Sequence, residues 1–235
     1  MSSATCVVEI LTCDKNLTRL EEFKARADAQ LAANSSEFEE PYPWAFDFCK
    51  HIPKGIHFVA STDDVICGWA LLEAERFFGL QTMEIGSITT RRKPMGTQRL
   101  GRLLHDSIVT YATTNGKDLI FLHAKNSDVA KIYAKWGYLP IFRPEEIATA
   151  EVPTKVSHGG KETEFRNQLG LMMFFPIKSD IVLSDEFKTM ISKDAENMTM
   201  EGYYGFNRPK EGGRRRKTRR QQKRKTRRSP KYDAL

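Results

Sequence analysis

Three β-rich runs follow one another between residues 56 and 90 with no room for a helix between them, and this restricts the fold more than any other feature. Ile56-His57-Phe58-Val59-Ala60 reads as a strand, and Thr62-Asp63-Asp64 turns the chain into a second one from Val65 to Glu75. Leu80 to Thr90 gives a third, so the segment predicts an antiparallel meander. The period then changes. Leu100, Leu103, Leu104, Ile108 and Tyr111 share one face of a helix, and Asp118–Ala124 is a short apolar strand. Val129, Ala130, Ile132, Tyr133 and Trp136 mark a second helix, and Tyr138–Phe142 a further strand. Ahead of the meander, Thr5–Leu11 reads as a strand. A helix starting near Thr18 comes after it, carrying Leu17, Leu20, Phe23 and Ala27. Pro41-Tyr42-Pro43-Trp44 interrupts, and a short helix runs to Lys50. Beyond Phe142, Pro144–Gln168 reads as irregular and Gly170–Ile177 as the final strand. Leu183-Ser184-Asp185-Glu186 then caps a helix with Phe187, Met190 and Ile191 on its inner face. This order predicts a single α/β domain over residues 1–200, with helices flanking a mixed, mostly antiparallel sheet.

Charge separates that domain from the C-terminal tail. Fourteen of the 37 Lys/Arg and only two of the 30 Asp/Glu lie between Arg208 and Leu235, so the tail carries +12 and the remainder −5. Like charges at this density repel and offer no apolar face, so residues 201–235 are expected to stay disordered. Lys217-Thr218-Arg219-Arg220 recurs at Lys225–Arg228. Such a tail binds phosphate by counterion release, and residues 208–231 are a candidate non-specific nucleic-acid contact or a nuclear localisation signal. No aromatic residue interrupts Arg214–Arg228, which argues against base stacking. Ser229-Pro230-Lys231 is a candidate phosphorylation site. No apolar run is long enough to cross a membrane, and the N-terminus lacks the pattern of a secretory signal, so an intracellular protein of cytoplasm or nucleus is expected. Cys6, Cys13, Cys49 and Cys67 form no CxxC pair, and the four are read as buried or incidental thiols with no metal site.

The local pattern with most chemical content is Asn126, Tyr133, Gly137 and Tyr138, spaced N-x6-Y-x3-G-Y between two strands. Asn126 before Ser127-Asp128 is a good helix N-cap, and Tyr133 lies nearly two turns on, on the same side. With the element order, this pattern resembles the GNAT superfamily of acyl-CoA N-acyltransferases over Thr5–Ile177. The tail resembles, in composition, tails on proteins of large DNA viruses.

The resemblance implies an α/β GNAT fold, acetyl-CoA as co-substrate, no metal, and direct attack by an amine acceptor on the thioester. In that family the Asn opens a helix beside the pantetheine arm, and the Tyr protonates the departing thiolate; these roles fall on Asn126 and Tyr133. Backbone N–H groups near Ile88, Thr89 and Thr90 would polarise the carbonyl. The pyrophosphate loop, Q/R-x-x-G-x-G/A in the family, is expected within Arg91–Gly101, with Met95, Gly96, Thr97, Gln98, Arg99, Leu100 and Gly101 as cofactor contacts. The match is imperfect. One register aligns Gln98-x-x-Gly101 and leaves Leu103 for the last small residue; the other sets Gln98 and Leu100 where glycines belong. Arg91, Arg92, Lys93 and Arg99 supply positive charge for the phosphates. An ammonium must lose a proton before it attacks, and Glu84 on the preceding strand is the candidate general base, with His57, His105 and His123 as alternatives. The acceptor stays open between a small amine and a protein. The competing expectation is an inactive GNAT-like binding protein tethered through its tail.

Overall fold

Strand β1 (Val7–Thr12) pairs antiparallel with β2 (Ile56–Ser61), β2 with β3 (Ile66–Phe77), and β3 with β4 (Leu80–Thr90), which is the expected meander. The structure, a computed structural model, describes residues 5–33, 55–62, 65–77, 79–91, 99–149, 156–158, 161–163 and 169–201. The expected short helix up to Lys50 and the basic tail lie outside these residues. So do Arg92, Lys93 and Met95–Gln98.

After β4 the chain forms helix α2 (Leu100–Thr114) and returns as β5 (Leu119–His123), parallel to β4. A parallel return needs a crossover, and α2 supplies it. Helix α3 (Ser127–Lys135) comes next, then the two-residue strand β6 (Leu139–Pro140) and the short helix α4 (Pro144–Thr149). A small hairpin, β7 (Val156–His158) with β8 (Lys161–Thr163), stands apart from the main sheet. Strand β9 (Met172–Pro176) then inserts between β5 and β6, antiparallel to both. The seven-stranded sheet thus runs β1-β2-β3-β4-β5-β9-β6, and β4–β5 is its one parallel pair among the described residues. The chain continues into α5 (Asp185–Glu201), whose start is capped by the Ser184 hydroxyl, which accepts from Phe187 N–H at 3.2 Å. The fold class is the expected one.

Two layers cover the sheet. On one face Met83, Ile85, Ile120 and Leu122 meet Leu100, Leu104, Ile108 and Ala112 of α2. On the other, Val59, Trp69 and Leu71 meet Leu20, Phe23 and Ala27 of helix α1 (Cys13–Ala33), while Leu119, Phe121 and Phe174 meet Phe187 and Ile191 of α5. Every residue of β2 is buried for this reason. Helix α1 breaks at Asn16 (φ −129°, ψ 25°), so its regular part begins near the expected Thr18.

Two sequence expectations are corrected. Pro144–Gln168 is not wholly irregular, since it contains α4 and the β7–β8 hairpin. The carboxylate of Glu146 accepts the Arg143 N–H at 2.6 Å, three residues ahead of it, and Pro144 opens the helix. The cysteines are not incidental thiols: Cys6 and Cys67 are joined by a disulfide, and Cys13 is disulfide-bonded too. Cys49 lies outside the described residues. The Cys6–Cys67 contact arises because β1 and β3 both flank β2, which brings residues 61 positions apart within a Cα–Cα distance of 6.5 Å. Linear spacing along the chain carries no trace of that.

Candidate active site

The β4–β5 pair is fastened at one end and open at the other. At the fastened end the buried Asp118 carboxylate accepts Gln81 N–H at 2.6 Å, its own N–H donates to Gln81 C=O at 2.7 Å, and Lys178 forms an ion pair with it. Pairing then runs from Thr82↔Leu119 to Ile85↔Leu122 and ends there. Beyond it the β3–β4 register steps from Leu72↔Ile85 to Leu71↔Ser87, making Gly86 the extra residue of a β-bulge. The end of β5 turns the other way: His123 pairs with Met172, and Ala124 N–H donates to Leu171 C=O at 2.8 Å. Strand β4 therefore runs on through Ser87–Thr90 past the last rung it shares with β5. Alternate N–H groups of a strand point to the same side, so part of this stretch addresses the gap. Of the three residues expected to polarise a carbonyl, Ile88 packs on the α2 face. Thr89 is buried, and its hydroxyl has no hydrogen-bond partner. Gly86 was missed at the sequence level, although a glycine inside a strand is itself a bulge signal.

Helix α3 begins four residues after β5. Asn126 is its N-cap in extended conformation (φ −162°, ψ 175°), and its side-chain oxygen accepts Asp128 N–H at 3.1 Å and Val129 N–H at 3.0 Å. Tyr133 is buried in the same cluster as Ile85, Leu122 and Ala124. Its ring stands edge-on to Trp136 (5.5 Å between centroids) and to Tyr138 (5.1 Å). Helix α3 stops at Gly137, whose φ of +98° is open to glycine and strained for other residues; a Cβ there would also meet the Phe175 ring at 3.2 Å. That turn sends Tyr138 back under Tyr133.

Of the expected pyrophosphate residues, Met95, Gly96, Thr97 and Gln98 are outside the described residues. Arg91 follows the strand and donates its N–H to Cys67 C=O at 2.9 Å. Arg99 is the N-cap of α2 and makes no side-chain cap bond. Leu100 is buried in the core and Gly101 lies inside the helix, where a Cβ would touch Trp136 at 3.4 Å. Both side-chain positions face protein, so only their backbone N–H groups, in the first turn of α2, are left to address an anion.

Glu84 is half-buried on β4, with Glu73 opposite it on β3 and Phe121 on β5. It alternates with Met83 and Ile85, so it faces the α1–α5 side of the sheet, away from Tyr133. The three histidines are not brought to it. His57 is fully buried under α1, where its Nδ1 accepts the Trp69 indole N–H at 3.2 Å and its Nε2 lies 3.3 Å from Cys13 Sγ. Burial pushes its pKa down to about 4, which keeps it neutral. His105 is buried between α2 and α3, and His123 ends β5. Among the described residues no group of His, Cys, Asp and Glu is arranged to hold a metal ion, and no helix is long and apolar enough to cross a membrane.

No protein-family model matches the chain, and no curated protein sequence matches it. Solved structures of N-acetyltransferases are among those that align with it. The Escherichia coli GNAT family N-acetyltransferase YhbS in complex with CoA is 13% identical, with 85% of this chain and 89% of that one covered and a TM-score of 0.47. AtaTR bound with acetyl-CoA is 16% identical over 74% of this chain and 95% of its own, with a TM-score of 0.45. Tetrahymena GCN5 is 14% identical over 74% and 98%, with a TM-score of 0.44. At such identities and scores no residue's role carries across. The chemistry has to come from this chain's own strands and side chains.

Proposed function

We propose that the chain is an N-acetyltransferase that moves an acetyl group from acetyl-CoA to an amine by direct attack. One observation carries the reading: β4 and β5 are clamped at Asp118, cease to pair after Ile85↔Leu122, and are succeeded at the open end by a helix holding a buried Tyr133. A slot in a parallel sheet accepts a narrow, extended, amide-rich arm, and pantetheine is such an arm. The first-turn N–H groups of α2, beside Arg91 and Arg99, suit the pyrophosphate at its other end. In the transfer the amine nitrogen bonds to the carbonyl carbon and sheds a proton to Glu84, directly or through water. The C–S bond breaks, and Tyr133 gives its phenolic proton to the thiolate. The N–H groups of Ile88–Thr90 support the oxyanion in between. The acceptor is an amine-bearing small molecule or protein. The basic tail, residues 208–231, is proposed to hold the protein to nucleic acid without sequence preference, in cytoplasm or nucleus.

Calorimetric titration of the full chain with CoA and acetyl-CoA tests the reading. Saturable micromolar binding is expected; no heat of binding would refute it and favour the non-catalytic alternative. In an acetyl-transfer assay Tyr133→Phe is expected to lower kcat by about 100-fold with KM for acetyl-CoA nearly unchanged, the range for a lost general acid. Unchanged turnover would remove Tyr133 from the chemistry.

A further inference from the structure

One side of strand β4 is polar along its length. The register sets Glu84, Ser87 and Thr89 across from Glu73, Leu71 and Trp69 of β3, all on the α1–α5 side of the sheet, and Thr82 shares that side by alternation. The other side of β4 carries Met83, Ile85 and Ile88. The flanking strands are apolar on the α1–α5 side: Val59, Trp69 and Leu71 pack under α1, and Leu119, Phe121 and Phe174 pack under α5. A polar strip on β4 therefore separates the two apolar clusters, at a place in the sheet where a helix-covered strand is normally apolar. Two features define what the strip suits. Glu73 and Glu84, both half-buried, stand directly opposite each other, a position in which Cβ atoms lie about 4.5–5.5 Å apart. Thr89, only 8% exposed, lies past the last rung that β4 shares with β5, and its hydroxyl has no hydrogen-bond partner among the described residues. Two carboxylates, which only accept, followed by a buried hydroxyl suit a cation rich in N–H donors.

The chain leaves the fold from the same side of the sheet. Ile191 of α5 packs there, the helix runs to Glu201, and the +12 segment Arg208–Leu235 comes soon after. That segment contains nine Arg and five Lys, and only the lysines can deprotonate to a nucleophilic amine. Its one repeated motif, Lys-Thr-Arg-Arg, puts a lysine first both times, at Lys217 and Lys225. We propose that the basic tail is an acetyl acceptor of its own active site, with Lys217 and Lys225 as the amines that are acetylated. This rests on the acetyl-transfer reading above. The tail carries +12 against −5 for the rest of the chain, so charge favours the contact. Lys217 is 16 residues beyond Glu201 and Lys225 is 24, reaches of up to about 53 and 79 Å, whereas all of α5 is about 26 Å long. The strip is therefore within reach whichever way the tail leaves the helix, and tethering holds the lysines near it at an effective concentration on the order of millimolar. Residues two apart share a side in an extended segment, so Arg219 accompanies Lys217 and Arg227 accompanies Lys225. The guanidinium suits Glu73 while the lysine Nζ comes to Glu84. Nζ arrives as an ammonium, gives one proton to Glu84 and on to water, and bonds to the thioester carbon. The nitrogen loses a second proton as the amide forms, the C–S bond breaks, and the thiolate takes its proton from Tyr133. Overall an ammonium and a thioester become an amide, a thiol and one released proton. Two acetylations take the tail from +12 to +10 and lower the log–log salt slope of its duplex binding by about 1.8.

The test incubates the full chain with acetyl-CoA carrying a ¹³C-labelled acetyl group, cleaves it after Glu211, and locates acetyl groups by mass spectrometry, counting any unlabelled ones already present. Lys131, exposed on α3, reports the uncatalysed reaction. Lys217 and Lys225 are expected to be acetylated roughly tenfold faster than Lys131 or more, at a rate per molecule that does not change on dilution. Glu84→Gln is expected to slow the tail reaction by about 100-fold and leave Lys131 as it was. Lys217→Arg combined with Lys225→Arg keeps the tail's charge and is expected to remove most of its acetylation, although three other tail lysines remain. Lys217 and Lys225 modified no faster than Lys131, or a rate that falls in proportion to dilution, overturns the proposal. If the same preparation then acetylates a lysine peptide added in solution, the acetyl-transfer reading stands without it. If it acetylates neither tail nor peptide, both fall.

Discussion

Breaking the Cys6–Cys67 disulfide should be the most damaging single chemical change to this fold. The bond ties the start of β1 to β3 across a sequence separation of 61 residues, with both sulfurs in the main core cluster. In the chain-entropy account a loop of this length removes about 14 cal/mol/K from the unfolded ensemble, or about 4 kcal/mol at 25 °C. For a folded region of this size each kcal/mol corresponds to roughly 2–4 °C, so the thermal midpoint should fall by about 8–16 °C. Reduction by a thiol is a poor perturbation, because Cys13 is also disulfide-bonded and would be opened as well. The cleaner assay is a double-mutant cycle by urea denaturation of Cys6→Ala, Cys67→Ala and the pair. Either single change destroys the bond, so the double variant should be barely less stable than each single one, with a coupling near 4 kcal/mol. Losses that simply add, or a coupling below about 1 kcal/mol, would refute the entropy argument and the pairing behind it.

Two further outcomes come from local chemistry. His57 has its folded-state pKa lowered to about 4 by burial, whereas the unfolded chain protonates near the ordinary 6.5. The unfolded state therefore binds more protons between these values. The stability it contributes is intact above pH 6.5 and is lost as pH falls toward 4, by about 3 kcal/mol. Urea midpoints across that window, in the wild type and in His57→Gln, measure the slope, and an equal slope in both would exclude His57 as its source. Asn126→Ala removes the acceptor for Asp128 and Val129 N–H and should cost about 1 kcal/mol by chemical denaturation, while Asn126→Asp should keep most of it.

The part of the fold legible in the sequence was the part that local periodicity encodes. Leu100, Leu104 and Ile108 recur at helical spacing because α2 lies on a sheet, and the Asn126–Tyr133–Gly137 interval works because cap, side and stop all belong to one helix. Contacts made through a neighbouring element left no such mark. Nothing near His57 announces Trp69 as its donor, since the two meet only because β2 pairs with β3. Asp118 reads as the start of a strand, and its role as a clamp depends on Gln81 being brought alongside. The expected strand over Tyr138–Phe142 shrinks to Leu139–Pro140, with one further bond to β9 from Ile141 N–H to Met172 C=O at 2.9 Å. The Arg143-Pro144-Glu145-Glu146 helix start was visible in the sequence.

The faces assigned to Glu84 and Tyr133 add a constraint that neither residue gives alone. Tyr133 shares the α2 side with Met83 and Ile85, and Glu84, between those two on β4, points to the α1–α5 side. A general acid and a general base separated by a β-sheet can serve one reaction only where the sheet lets a reactant through. Closed parallel pairing between β4 and β5 would forbid it, because the ladder leaves no gap between strands about 4.8 Å apart. Here the ladder ends at Ile85↔Leu122, one residue beyond Glu84, and the Gly86 bulge bends β4 at the same point. The thioester would then meet its acceptor at the end of the ladder, with the thiolate leaving toward Tyr133 and the amine approaching from the side of Glu84. A cross-strand bridge that closes this end, for example a disulfide engineered between Ile88 and Ala124, should abolish transfer while leaving the fold intact. Full activity in the bridged and oxidised protein would mean that the reactants never pass between these strands.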